Sequence, residues 1–107
     1  MIYRQGDVLI IATDEQVEGK KVVRDRGRVI LAYGEVTGHA HAIHAKECDL
    51  YAPEHDAELA DRFLSVLAGG GVDLVHEEHD TITIPRGTYI VRQQREYTPE
   101  AVRSVAD

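Results

Sequence analysis

Short apolar runs rich in valine, isoleucine and tyrosine, each broken after a few residues by glycine or a charged turn, dominate this chain. β-Branched and aromatic residues suit a pleated surface, so the pattern predicts strands joined by tight turns. A chain of 107 residues can bury one core but not two, which predicts a single small β domain over residues 1–107. The expected architecture is mainly β: a compact antiparallel β-barrel or sandwich with a short C-terminal helix.

Residues 6–12 (GDVLIIA) are apolar on both faces and are expected to form a central strand, with Gln5-Gly6-Asp7 as its entry. Residues 20–24 and 28–33 flank Asp25-Arg26-Gly27 and read as a hairpin. After a turn bracketed by Gly34 and Gly38, residues 39–45 alternate, with His39, His41 and Ile43 on one face and Ala40, Ala42 and His44 on the other. Residues 48–52 suit a short strand. Between 53 and 68 the helical spacing of Leu59, Phe63, Val66 and Leu67 competes with a strand over 62–67. An acidic loop or helical turn at 54–61 followed by a strand is preferred, because Ala68-Gly69-Gly70-Gly71 can then join FLSVL to VDLVH as a hairpin. Residues 72–76 and 81–84 form a further hairpin with Glu77-Glu78-His79-Asp80 at its tip, and residues 88–97 form a long final strand. Thr98-Pro99-Glu100 pairs an N-cap with proline at the first helical position, which predicts a short helix there.

The balance of 12 basic against 19 acidic residues, a formal charge of -7, disfavours nucleic acid and anionic membranes as partners. The one basic run, Lys20, Lys21, Arg24, Arg26 and Arg28, reads as a solvated hairpin rather than a phosphate track. Protonating all six histidines would move the charge from -7 to -1, so poor solubility is expected near pH 5. The single Cys48 excludes an intramolecular disulfide and a thiolate-rich zinc site, and its expected role is that of a buried structural residue. The opening MIYRQGDVLIIATDE has only a few apolar residues flanked by charge and no small-residue cleavage signal. A cytoplasmic protein without a membrane span is therefore expected.

Five of the six histidines lie in two clusters: His39, His41 and His44 in GEVTGHAHAIH, and His76 and His79 in LVHEEHD. On a strand, residues two apart share a face at about 6 to 7 Å, so His39 and His41 can clamp one ion. His44 points away unless the chain bulges near Ile43. The HEEH spacing is three rather than the four of the helical HExxH zinc signature, and its flanks are strand-like, so a turn suits it better. Both of its histidines can then converge over the tip, with Glu77 and Glu78 as carboxylate ligand or catalytic base. The expected metal ligands are His39, His41, His76 and His79, around a divalent ion that zinc, manganese, iron or nickel would satisfy. The plainer reading is that two clusters 35 residues apart stay separate as surface turns.

Glu35, in GEVTG, belongs to an ordinary β-turn or else holds a histidine ring in one tautomer. Gln93, Arg95 and Tyr97 share a strand face with Tyr89 and Val91, a set that suits ordinary cross-strand pairing or an anionic substrate. No P-loop, GxGxxG or GxSxG motif occurs, so nucleotide hydrolysis and serine-hydrolase chemistry lack support.

The blocks GEVTGHAH, LVHEEH, IPRGTY and QREY, in this order, resemble those of a family of small uncharacterised bacterial and phage-associated proteins. The resemblance covers most of the chain and implies no particular activity. A weaker likeness is to cupins, in which a strand HxH pair and a later acidic residue hold a metal inside a β-barrel. That likeness matches His39 and His41 to the pair, Glu47 to the acidic residue, and Pro85-Arg86-Gly87 to the turn of the second motif. It departs in that no histidine follows Gly87. Two functions follow as expectations. One is a metal-dependent hydrolase or other metalloenzyme acting on a small polar substrate. The other is a non-catalytic binding or assembly module, a homo-oligomer through exposed β-edges, with a structural metal or a histidine-rich partner surface. Nucleic-acid processing survives only if a metal offsets the acidic charge locally.

Overall fold

A computed structural model describes residues 1–34, 36–54 and 60–94. Among these the chain is all β. Its strands are β1 (Ile2–Gln5), β2 (Val8–Ala12), β3 (Lys20–Lys21), β4 (Val29–Tyr33) and β5 (Ala40–Ile43), then β6 (Cys48–Ala52), β7 (Arg62–Val66), β8 (Val72–Val75), β9 (Ile82–Ile84) and β10 (Gly87–Gln93). They form two antiparallel sheets, one ordered β1-β2-β10-β7-β6-β3 and the other β4-β5-β8-β9. Strand β1 runs near β9 and β4 near β6, yet among the described residues no hydrogen-bonded ladder closes the two sheets into a barrel.

One core lies between the sheets. Val8, Ile10, Leu50, Leu64, Val66 and Val91 come from the six-stranded sheet, and Val29, Leu31, Ile43, Leu74 and Ile84 from the four-stranded one. The two-residue period of a strand sends these side chains inward and their neighbours outward, as in β8, where Val72 and Leu74 are buried and Asp73 is exposed. Strand β5 is covered on both faces, for Ala40 and Ala42 pack outward against Ile30 and Val75 while Ile43 enters the main core. That is the division of β5 expected from its alternation.

Gln5-Gly6-Asp7 is not a strand entry, because β1 precedes it and pairs Gln5 with Val8 across a turn in which Gly6 takes φ 58°. The turn at Asp25 is real, with Arg26 and Gly27 both at positive φ between the bridged Asp25 and Arg28. Its two flanks part company, however: β3 joins β6 in one sheet and β4 joins β5 in the other. The glycine segment after β7 is likewise a crossing between sheets. Strand β7 already has β6 and β10 on its two edges, so β8 pairs with β5 and β9 instead. The β8–β9 hairpin and the strand β7 match the sequence expectation, and β10 is described to Gln93. Residues 55–59 of the acidic loop, Glu35 and the expected C-terminal helix lie outside the described residues. No helix among the described residues is long and apolar enough to cross a membrane.

Candidate functional site

Three segments distant in sequence meet at one end of the molecule: the β1–β2 turn, the start of β5 and the tip between β8 and β9. The ring centroids of His41 and His76 are 4.2 Å apart, those of His76 and His79 4.7 Å, those of His41 and His79 5.8 Å, and those of His39 and His76 5.9 Å. The four imidazoles singled out in the sequence thus form one group.

His41 is the fixed member, at 3% exposure. Its Nδ1 lies 2.8 Å from Oε1 of Gln5, which is itself 2% exposed. Nε2 of Gln5 donates to the carbonyls of Leu74 (2.9 Å) and Asp80 (3.0 Å), so one amide ties β1 to β8 and to the hairpin tip. On the other side of the ring, His41 Nε2 lies 3.5 Å from Oδ1 of Asp7, whose Oδ2 accepts a hydrogen bond from Gln93 Nε2 at 2.9 Å. Burial pushes the His41 pKa down to about 4, with neighbouring His76 adding to the effect and Asp7 opposing it. The ring is neutral at pH 7.

Gly6 forms the floor between two of the rings. A Cβ there would stand 2.8 Å from His79 Nε2 and 3.2 Å from His41 Cε1, so only glycine lets both imidazoles approach. Opposite, Glu77 Oε1 accepts the Ala40 amide at 2.9 Å, which clips the hairpin tip to β5. That bond, first among several causes, holds the Glu77 carboxyl below the usual carboxylate range. Glu78 is freer: its exposed carboxylate stands 3.5 Å from His39 Nδ1, an atom shielded from solvent and without a hydrogen bond. His76 Nδ1 accepts the Glu78 amide at 3.0 Å, so a neutral His76 carries its proton on Nε2.

Other residues singled out in the sequence stand elsewhere or in another role. His44 is exposed, just beyond the end of β5. Glu47 lies beyond the opposite end of β5 from His39, where its carbonyl accepts the Leu67 and Ala68 amides, so the HxH-plus-acid arrangement of the cupin likeness is not assembled. Cys48 is buried, and burial raises its thiol pKa. Arg24 is no solvated hairpin residue, because its guanidinium donates to the carbonyls of Gly27, Ala45, Lys46 and Cys48. Gln93 reaches the group through Asp7, whereas Arg95 and Tyr97 lie outside the described residues. Gln5 and Asp7 were not expected at the site. The available signal was the Gly6-Asp7 pair between Ile2-Tyr3-Arg4-Gln5 and the apolar run that follows, a hairpin-turn pattern that would have brought both side chains to one end of a sheet.

Nitrogen and carboxylate oxygen make up the group. Among the described residues, no three His, Cys, Asp or Glu side chains are arranged to hold a metal ion as they stand. The arrangement is therefore one buried, oriented imidazole ringed by side chains on turns.

Fold and site together define an antiparallel two-sheet protein whose sheet ends carry a buried Gln–His pair within an imidazole and carboxylate group. The chain belongs to the family described as Domain of unknown function (DUF8820), which it matches over residues 4–94, a span that includes every residue of the group. No curated protein matches the chain, and no solved structure does.

Proposed function

We propose that this end of the molecule binds a divalent metal ion, with His41 and Asp7 as the first ligands and His39 and His79 completing the set as their side chains turn inward. The observation that supports the reading is the 3.5 Å approach of His41 Nε2 to the Asp7 carboxylate inside a ring of imidazoles. A neutral imidazole and a carboxylate offer lone pairs, and several such groups gathered at partly buried positions favour a cation among them. A set of nitrogen and oxygen ligands without thiolate suits zinc, manganese, iron or nickel. His76 can ligate only if the Glu78 amide releases its Nδ1.

The chemistry that follows is metal-assisted hydrolysis, or a related reaction, of a small polar substrate. His79 and Glu78 are exposed, which leaves the outer side of the group open to water and to a small molecule. Water bound to such an ion loses its proton far more readily than bulk water does. Glu78 is the better placed acceptor for that proton, because the Glu77 carboxylate is already engaged by Ala40.

Titration of metal-free protein with zinc(II) and manganese(II), read by calorimetry and elemental analysis, tests the reading. One ion per chain is expected for the wild type and for His44→Ala, with binding lost in His41→Ala and weakened at least tenfold in His79→Ala. Equal binding by wild type and His41→Ala would sink the proposal. A bound ion with no exchangeable water would instead favour a closed structural site in a non-catalytic module.

A further inference from the structure

We infer that Gln5 is a positioning residue that holds His41 in the Nδ1–H tautomer and thereby keeps its Nε2 lone pair open. The metal-binding consequence rests on the reading above, but the tautomer does not.

Both polar atoms of the Gln5 side chain are engaged. A glutamine side chain has two N–H donors and one carbonyl acceptor. The Leu74 and Asp80 carbonyls can only accept, and both lie within 3.0 Å of Gln5 Nε2, so they consume both donors and set the orientation of the amide. Oε1 must then face His41 Nδ1, 2.8 Å away, and an acceptor there requires a proton on Nδ1. Neutral imidazole has one ring proton, so Nε2 is bare. Both partners are almost fully shielded from water, which leaves no solvent molecule to offer a competing bond.

With Nε2 unprotonated, His41 and Asp7 present two lone-pair atoms to each other at 3.5 Å, and neither can satisfy the other. If the acceptor at position 5 were removed, the ring proton would move to Nε2 and bond to Asp7 Oδ1. His41 and Asp7 would then form a closed pair with nothing left for a ligand. Gln5 prevents that collapse. Its side chain also joins the two sheets, so it orients the ring from the sheet opposite β5.

Glutamine suits the position better than its near relatives. A glutamate carboxylate could accept from Nδ1 but would face the Leu74 and Asp80 carbonyls with no donor. A methionine would fill similar space and offer no comparable acceptor.

Two-bond proton–nitrogen correlation of the His41 ring in metal-free protein at pH 8 reads the tautomer directly. In the wild type, Nδ1 is expected to show the protonated shift and Nε2 the unprotonated one. In Gln5→Met the two are expected to exchange, and zinc(II) affinity to fall roughly 10- to 100-fold. An Nε2-protonated ring in the wild type, or an Nδ1–H ring persisting in folded Gln5→Met, would overturn the inference. Should Gln5→Met not fold, the wild-type spectrum still decides. A wild-type Nδ1–H ring together with no zinc binding would overturn the metal reading alone.

Discussion

Arg24 and His41 are both basic side chains drawn out of solvent, at different places in the same small protein, and they end in opposite conditions. The Arg24 guanidinium meets the carbonyls of Gly27, Ala45, Lys46 and Cys48, with Asp49 3.9 Å away, so its donors face protein acceptors. It staples the Asp25 turn to the segment between β5 and β6. His41 is satisfied on one nitrogen only, and its second faces another acceptor. A guanidinium drawn against protein carbonyls contributes stability, whereas a buried ring with one nitrogen oriented and unpaired has the capacity to bind.

The sharpest way to break that comparison is Arg24→Ala. It removes four charge-assisted hydrogen bonds and leaves carbonyls without partners, so a loss of about 2 to 4 kcal/mol in unfolding free energy is expected from urea titration. Zinc affinity of the folded fraction should stay unchanged. A variant as stable as wild type would show that the staple is idle.

A comparable effect is expected from pH acting on the metal-free protein. The folded-state pKa of His41 lies near 4 and its ordinary value is 6.5, so the unfolded chain takes up the proton first as pH falls. Stability is fully present above pH 6.5, declines from there towards pH 4, and is lost to this group below it. Full development of the shift corresponds to at most about 3 kcal/mol. Unfolding free energies measured between pH 7.5 and 4 should be flatter in His41→Gln than in wild type; identical slopes would contradict the burial of that ring.

Gly6→Ala is expected to have the smallest effect on stability. A Cβ at φ 58° costs about 1 to 2 kcal/mol, and the exposed His79 can swing away from the intruding methyl group. The swing takes His79 from His41, so zinc affinity should fall about tenfold while the fold survives. Unaltered affinity would remove His79 from the ligand set.

Much of this was legible in the chain because it depends on near neighbours. The β8–β9 hairpin follows from two short apolar runs around HEEHD, and the inward face of β5 follows from alternation. The pairing of β8 was not legible, since a glycine-rich segment permits a hairpin and a crossing equally well. Competition for the edges of β7 decided it. Arg24 was misread because a basic run carries no sign of which member will find carbonyls after folding. Gln5 escaped notice for the same reason: amide side chains become specific only when their partners arrive, here from residues 69 and 75 positions away.

By itself the sequence determined a β chain with two histidine clusters, His39 and His41 two residues apart at one strand's start, and side chains there that offer nitrogen and oxygen but no thiolate. Tertiary structure alone decided that the clusters meet, that Gln5 and Asp7 stand on either side of His41, and that the strands divide into two sheets rather than close a barrel. The physical reason is range. Side-chain alternation and turn chemistry act over a few residues, whereas sheet membership and the pairing of buried polar atoms are settled by long-range contacts that no local pattern encodes.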